Sequence, residues 1–224
     1  MNGVLAAYYF YKMIQTFSSD NFYDYCDRLS KKDIHLKTII RQSGYPPMWT
    51  RPNTFQTLVL TILEQQVSLA SAYAAFKKLK EKTGYVTPHK ILALSDAELK
   101  SCYFSRQKMV YARELATAVL TRQLQLRKLA AAPDEAVRAE LKKIKGIGDW
   151  TADVYLMHAL RRTDLFPLGD IALVNSLKEV KQLPAHTPKE KMLAIAEAWR
   201  PFRTIAAMIL WHAYIKKRNI VLKG

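Results

Sequence analysis

The run Leu141-Lys142-Lys143-Ile144-Lys145-Gly146-Ile147-Gly148-Asp149-Trp150-Thr151-Ala152 decides how this chain is read. Upstream, Pro133-Asp134-Glu135 opens an amphipathic helix, since proline suits a first turn and acids suit the positive end of its dipole. Downstream, a fresh helical run begins. The two glycines flanking one apolar residue between them predict a tight hairpin. Glycine reaches positive φ without a Cβ clash, so Gly146 and Gly148 are expected to reverse the chain while the amides opening the next helix face outward. Such a corner can seat a phosphate, and Lys142, Lys143 and Lys145 crowd it with positive charge. An ordinary glycine-capped helix end shares this pattern, so the neighbours must decide. Asp149 would repel a phosphate although the helix dipole favours it there, and its carboxylate is expected to point away.

The totals narrow the partner. A chain of 224 residues, half of them hydrophobic, can bury one sizeable core or two lobes sharing an interface. A net charge of +16 points to a polyanion, nucleic acid before membrane. Cys26 and Cys102 are too few and too far apart for a disulfide framework, and a reducing compartment fits. Val4–Ile14 is apolar but shorter than the roughly 18 residues of a membrane span, and it lacks the basic leader and cleavage site of a signal. It is expected to belong to an N-terminal helical segment, residues 1–45, packed on a body formed by residues 46–224.

Within that body every signal is helical. Tyr45-Pro46-Pro47-Met48-Trp49 is a stiff entry, because adjacent prolines hold φ and remove two donors. Phe55, Leu58, Val59, Ile62 and Leu63 recur at helical spacing up to Glu64-Gln65-Gln66-Val67-Ser68, where Ser68 is read as capping a solvated helix end. Ser71 to Lys82 is amphipathic, Thr87-Pro88 starts another helix, and Ser95-x-x-Glu98 has the form of a capping box. A long helix is expected over 107–123, another after Thr187-x-x-Glu190, and a last one from Pro201 to about Lys216. Without a strand signal, repeat or linker, the fold is read as all-α and two-lobed, with DNA crossing the cleft.

The hairpin, Trp150-Thr151-Ala152 and Phe166-Pro167-x-x-Asp170 together resemble the helix-hairpin-helix (HhH-GPD) DNA glycosylases, specifically the DNA-3-methyladenine glycosylase II branch, over about Pro46 to Tyr214. The resemblance implies a phosphate grip by Lys145, Gly146, Ile147, Gly148 and Thr151. It implies a monovalent cation on the backbone carbonyls of Lys142, Ile144 and Ile147, for which a lysine ammonium is the alternative. It also implies a wedge at Gln66, which otherwise reads as a solvated helix end, and a base pocket from Trp150, Val154, Tyr155 and Trp211. Two family features are not expected: the N-terminal β domain, since too few residues precede Pro46 to supply one, and the iron-sulfur cluster, since the C-terminal Lys216-Lys217-Arg218-Asn219 carries no cysteine. Val154 departs from an aromatic family position, with Tyr155 beside it, and Tyr103-Phe104-Ser105-Arg106-Gln107-Lys108 lacks the family's turn glycine.

The chemistry is that of an extruded base. Flipping costs least for a damaged or mispaired one, and breaking its bond to the sugar leaves positive charge that a carboxylate near C1′ would stabilise. Asp170 is the candidate. It also precedes Ile171-Ala172-Leu173-Val174 as a favoured N-cap, and the two roles can coexist. Bifunctional relatives carry a nucleophilic lysine where this chain has Trp150, so water is expected to act instead, leaving an uncut abasic site. The expectation is a monomeric monofunctional glycosylase for alkylated purines in duplex DNA, without a cofactor for its chemistry, in the bacterial nucleoid or the eukaryotic nucleus. Two alternatives stand beside it: a non-catalytic duplex-binding protein, and a glycosylase/lyase for oxidised bases using Lys145. Asp164 is a backup carboxylate, Trp199 reads as core, and Arg203 as a brace between helices.

Overall fold

Local signals and long-range packing combine in a computed structural model that describes residues 14–220. Among the described residues there are thirteen helices and no strand, with one isolated bridge between Thr16 and Arg162. In chain order they are α1 (Phe22–Lys32), α2 (Ile34–Ser43), α3 (Phe55–Glu64), α4 (Leu69–Thr83), α5 (Pro88–Ala93), α6 (Asp96–Ser101) and α7 (Arg106–Leu120). There follow α8 (Leu126–Ala130), α9 (Asp134–Lys142), α10 (Asp149–His158), α11 (Ile171–Val180), α12 (Lys189–Glu197) and α13 (Arg203–Lys217).

The helices sort into two lobes. In one, α3 packs against α4, α7 and α10, with α9 on α10 and α5 on α7. Apart from Gln56, every residue of α3 is buried, as expected of a helix surrounded by others. In the other lobe α13 packs against α1, α2 and α11, and Ile205 to Leu210 are all fully buried. The two N-terminal helices thus pack on the C-terminal helix of this lobe. Of Val4–Ile14 only Ile14 lies within the described residues.

Several ends match their sequence signals. Thr87 caps α5, and Ser95 with Glu98 forms the full capping box of α6. Others differ. Ser68 accepts from the Ser71 amide at 3.2 Å and so opens α4 instead of closing α3. The long helix α7 stops at Leu120, because Arg122 turns at φ 62° and Leu124 bonds back to Ala118. Thr187 is no cap: its hydroxyl donates backward to the Pro184 carbonyl at 2.7 Å, and α12 starts after Pro188 without a side-chain cap.

Asp33 ties the N-terminal helices to the rest of their lobe. It caps α2 through the His35 amide at 2.9 Å, and its Oδ2 accepts from Lys181 Nζ at 2.6 Å and Trp199 Nε1 at 2.8 Å. Trp199 is thus fully buried core, as read from the sequence. Burial alone would raise the Asp33 pKa, but the hydrogen bonds from Lys181 and Trp199 and the lysine's charge bring it below the ordinary value. A carboxyl depressed on folding contributes stability that is complete above its unfolded pKa, about 3.9, and lost as pH falls through the folded value. Asp33→Asn is expected to cost about 1–3 kcal/mol at neutral pH. In urea unfolding the gap to wild type should be smaller at pH 3 than at pH 7, whereas a gap independent of pH would refute this account.

Candidate active site

The hairpin joins α9 to α10, and Gly146 is its pivot. It sits at φ 92°, and a Cβ there would lie 2.1 Å from Cγ of Tyr111, so both conformation and contact require glycine. Gly148 corrects the sequence reading, because its φ of −102° is open to any residue. It is the N-cap of α10, offers no side-chain cap, and a Cβ on it would meet nothing within 4 Å. The first-turn amides of α10 thus face an open corner, with the dipole's positive end behind them.

Two residues expected to face DNA turn inward instead. Ile147 is buried and its amide donates to the Ile144 carbonyl at 3.0 Å, because the turn needs that bond and the core takes the side chain. Thr151 is buried too, its hydroxyl accepting from Gln65 Nε2 at 2.9 Å. The same Nε2 lies 2.8 Å from the Gly146 carbonyl, so Gln65, which the sequence reading passed over, bolts the hairpin to the end of α3. The repulsive Asp149 is neutralised by Lys142 Nζ at 2.5 Å. Lys145 and Gln66 remain exposed, Gln66 at φ 56° in the α3–α4 turn.

Between the lobes, three helices converge on one carboxylate. Asp170 is the N-cap of α11, its Oδ1 accepting from the Leu173 amide at 2.8 Å. Trp211 of α13 donates its Nε1 to the same oxygen at 3.0 Å, and Trp150 of α10 donates to Oδ2 at 3.1 Å. Cap and site coincide. An ionised carboxylate has about four lone-pair positions, so the one left over belongs to Oδ2. Gly169 makes room, since a Cβ on it would lie 3.3 Å from Cβ of Trp150.

Around this centre the candidates divide. Val154, one turn after Trp150 on α10, is buried. Tyr155 is displaced from the proposed pocket: fully buried in the core, it donates its hydroxyl to Asn53 Oδ1 at 2.5 Å. Five residues after Trp150, it is rotated about 140° around the helix from it. Asp164 is excluded as a backup, because Arg203 holds it at 2.7 Å and Arg200 at 2.9 Å, which also makes Arg203 the brace it was read to be. Sequence reasoning missed His158, whose ring stacks on Trp211 with centroids 5.7 Å apart at 25°. Burial, with the Arg51 guanidinium adding to it, pushes its pKa down to about 4. Arg51 is itself clamped by Glu64 at 2.6 and 2.8 Å.

Cys26 and Cys102 are buried and free, and burial raises the Cys26 thiol to about 12. Among the described residues no group of three or more His, Cys, Asp or Glu side chains could hold a metal ion, and no helix is long and apolar enough to cross a membrane.

A two-lobed helical body with an uncapped glycine hairpin beside a carboxylate at the lobe junction defines a class that grips a polyanion and works on what lies between the lobes. Residues 59–201 match the HhH-GPD superfamily of base excision DNA repair proteins, and the chain belongs to that family. It is 28% identical over 197 residues to DNA-3-methyladenine glycosylase 1 of Schizosaccharomyces pombe, covering 82% of this chain and 86% of that one. The solved 3-methyladenine DNA glycosylase of Schizosaccharomyces pombe in complex with abasic DNA superposes with a TM-score of 0.80 at 25% identity, over 90% of this chain and 99% of that one. A DNA-3-methyladenine glycosidase from Bacillus halodurans gives 0.71 at 29% identity, over 93% and 96%.

Gln65→Ala would leave the Gly146 carbonyl and the Thr151 hydroxyl without this partner, at a cost of about 1–3 kcal/mol. Gly146→Ala, strained on two counts, should cost more. Both should weaken duplex binding in fluorescence anisotropy by at least tenfold, and an undiminished affinity for Gly146→Ala would contradict the role given to the hairpin.

Proposed function

We propose that this chain is a monofunctional DNA glycosylase that releases alkylated purines, 3-methyladenine foremost, from duplex DNA. The observation that carries the reading is the Asp170 carboxylate, held open on Oδ2 between two indoles, with tryptophan at position 150. The printed names of the relatives, DNA-3-methyladenine glycosylase among them, support the same reaction class.

The α10 amides and Lys145 hold a phosphate, and Gln66, exposed at a turn, fills the gap left by the extruded nucleotide. Trp150 and Trp211, both bonded to Asp170, offer the indole surfaces that a base would meet. An alkylated purine is cationic, which makes it a good leaving group and a good partner for indole faces. As the bond from C1′ breaks, its electron pair leaves with the base and the sugar becomes positive. The adjacent carboxylate stabilises that charge. Water then adds to C1′ and loses a proton, giving free base and an intact abasic strand. With no amine at position 150, no covalent adduct with the sugar forms.

The cation drawn from the family resemblance suits the donors present. Lys142 ends α9 and Ile144 and Ile147 follow in the turn, where carbonyls lack the amide of a continuing helix. The Ile144 carbonyl takes one bond, from Ile147, leaving a lone pair. A monovalent ion there would stiffen the phosphate-facing turn, and Lys142, Ile144 and Ile147 would hold it. The proposal includes action as a monomer on chromosomal DNA, in the nucleoid or nucleus, and needs neither an iron-sulfur cluster nor another cofactor for hydrolysis.

Asp170→Asn is the direct test. It removes the charge and sets an amide N–H against one of the donors now facing the carboxylate, so release of 3-methyladenine from methylated duplex should fall at least a hundredfold while duplex binding persists. Borohydride should trap no protein-DNA adduct. Full release by the variant would refute the role of Asp170, and a trapped adduct would favour the lyase reading through Lys145.

A further inference from the structure

His158 lies in the site with no part in these steps. Its Nδ1 is 2.8 Å from the Trp49 carbonyl, which can only accept, so Nδ1 carries a proton. Its ring stacks on Trp211, whose indole N–H reaches Asp170, so the imidazole stands one indole away from the carboxylate. Its burial and the Arg51 guanidinium keep the ring neutral, against the opposing influence of the Trp49 hydrogen bond and the Asp170 charge. A neutral ring with a proton on Nδ1 has a bare lone pair on Nε2. That nitrogen has no hydrogen-bond partner among the described residues and is not among the polar atoms sealed from solvent. The indole donors near it are engaged, since Trp150 and Trp211 both give their N–H to Asp170.

We infer that His158 Nε2 is the acceptor that reads the exocyclic amino group of the extruded base, so that the site prefers 6-amino purines to 6-oxo purines. The inference rests on the glycosylase reading of Asp170. An amino group donates to the lone pair, and the positive charge of an alkylated adenine strengthens that donor. A 6-oxo group brings a second acceptor to the same place, leaving two acceptors face to face and both unpaired. Sites built around one substrate N–H discriminate strongly against analogues lacking it for this reason.

The experiment compares 3-methyladenine with 3-methylguanine, released from one preparation of dimethyl sulfate-treated duplex DNA under single-turnover conditions. Wild type should release 3-methyladenine at least tenfold faster. His158→Phe keeps a ring against Trp211 but has no lone pair, and it should shrink that ratio at least fivefold. His158→Gln, whose amide oxygen can accept, should restore part of it. Equal rates in wild type overturn the inference, as does a His158→Phe variant that slows both bases in proportion, which would leave the ring only a support for Trp211. Release of neither base by wild type would bring down the glycosylase reading and this inference with it, whereas release without discrimination brings down the inference alone.

Discussion

Three N–H donors meet the Asp170 carboxylate: the amide of Leu173 and the indoles of Trp150 and Trp211, which stand on three different helices. A charged group drawn out of water must be met by donors, or its burial costs more than the fold can bear. Here the donors come from both lobes, so the carboxylate is positioned only when α10, α11 and α13 are all in place. That requirement explains features well away from it. Gly169 is small so that Trp150 can approach, and the buried Ile205 to Leu210 segment fixes the helix that carries Trp211. Oδ2 keeps a lone pair because it receives one donor where Oδ1 receives two.

The charges divide by distance. At long range the net +16 draws in a polyanion and makes binding sensitive to salt. At short range the site is kept nearly free of positive charge. Arg51 is paired with Glu64, Lys142 with Asp149, and burial with the residual field of Arg51 holds His158 neutral. Pairing of the cations nearest the carboxylate suits a cationic base, since an unpaired positive charge beside it would oppose its entry.

What could be read from the sequence was local. The capping box at Ser95, the cap at Thr87 and the hairpin between α9 and α10 depend on residues within a few positions of one another, and they formed where they were read, with Gly146 alone supplying the positive φ. The cap at Asp170 was legible because the acid directly precedes the helical run Ile171-Ala172-Leu173-Val174. Gln65 was not, because its partners Gly146 and Thr151 lie 81 and 86 residues away. Tyr155 was misplaced for a geometric reason: adjacency to Val154 in the chain is a rotation of about 100° on a helix, enough to move a ring from the pocket to the core. Thr151 and Ile147 were named for the phosphate grip as members of a motif, which does not say that their side chains are buried. The N-terminal helices gave no hint of their attachment, since Asp33 meets Trp199 across 166 residues.

Stabilisation of a positive sugar by an anion fixed between two indoles can be measured without any base leaving. The duplex affinity of the protein should be compared for two abasic-site mimics, a cationic pyrrolidine and a neutral tetrahydrofuran, in wild type and in Asp170→Asn. Complementarity to the charged transition state predicts that wild type favours the pyrrolidine duplex at least tenfold and that the variant loses this preference. Equal affinities in wild type, or a preference that survives the loss of the carboxylate, would contradict the account.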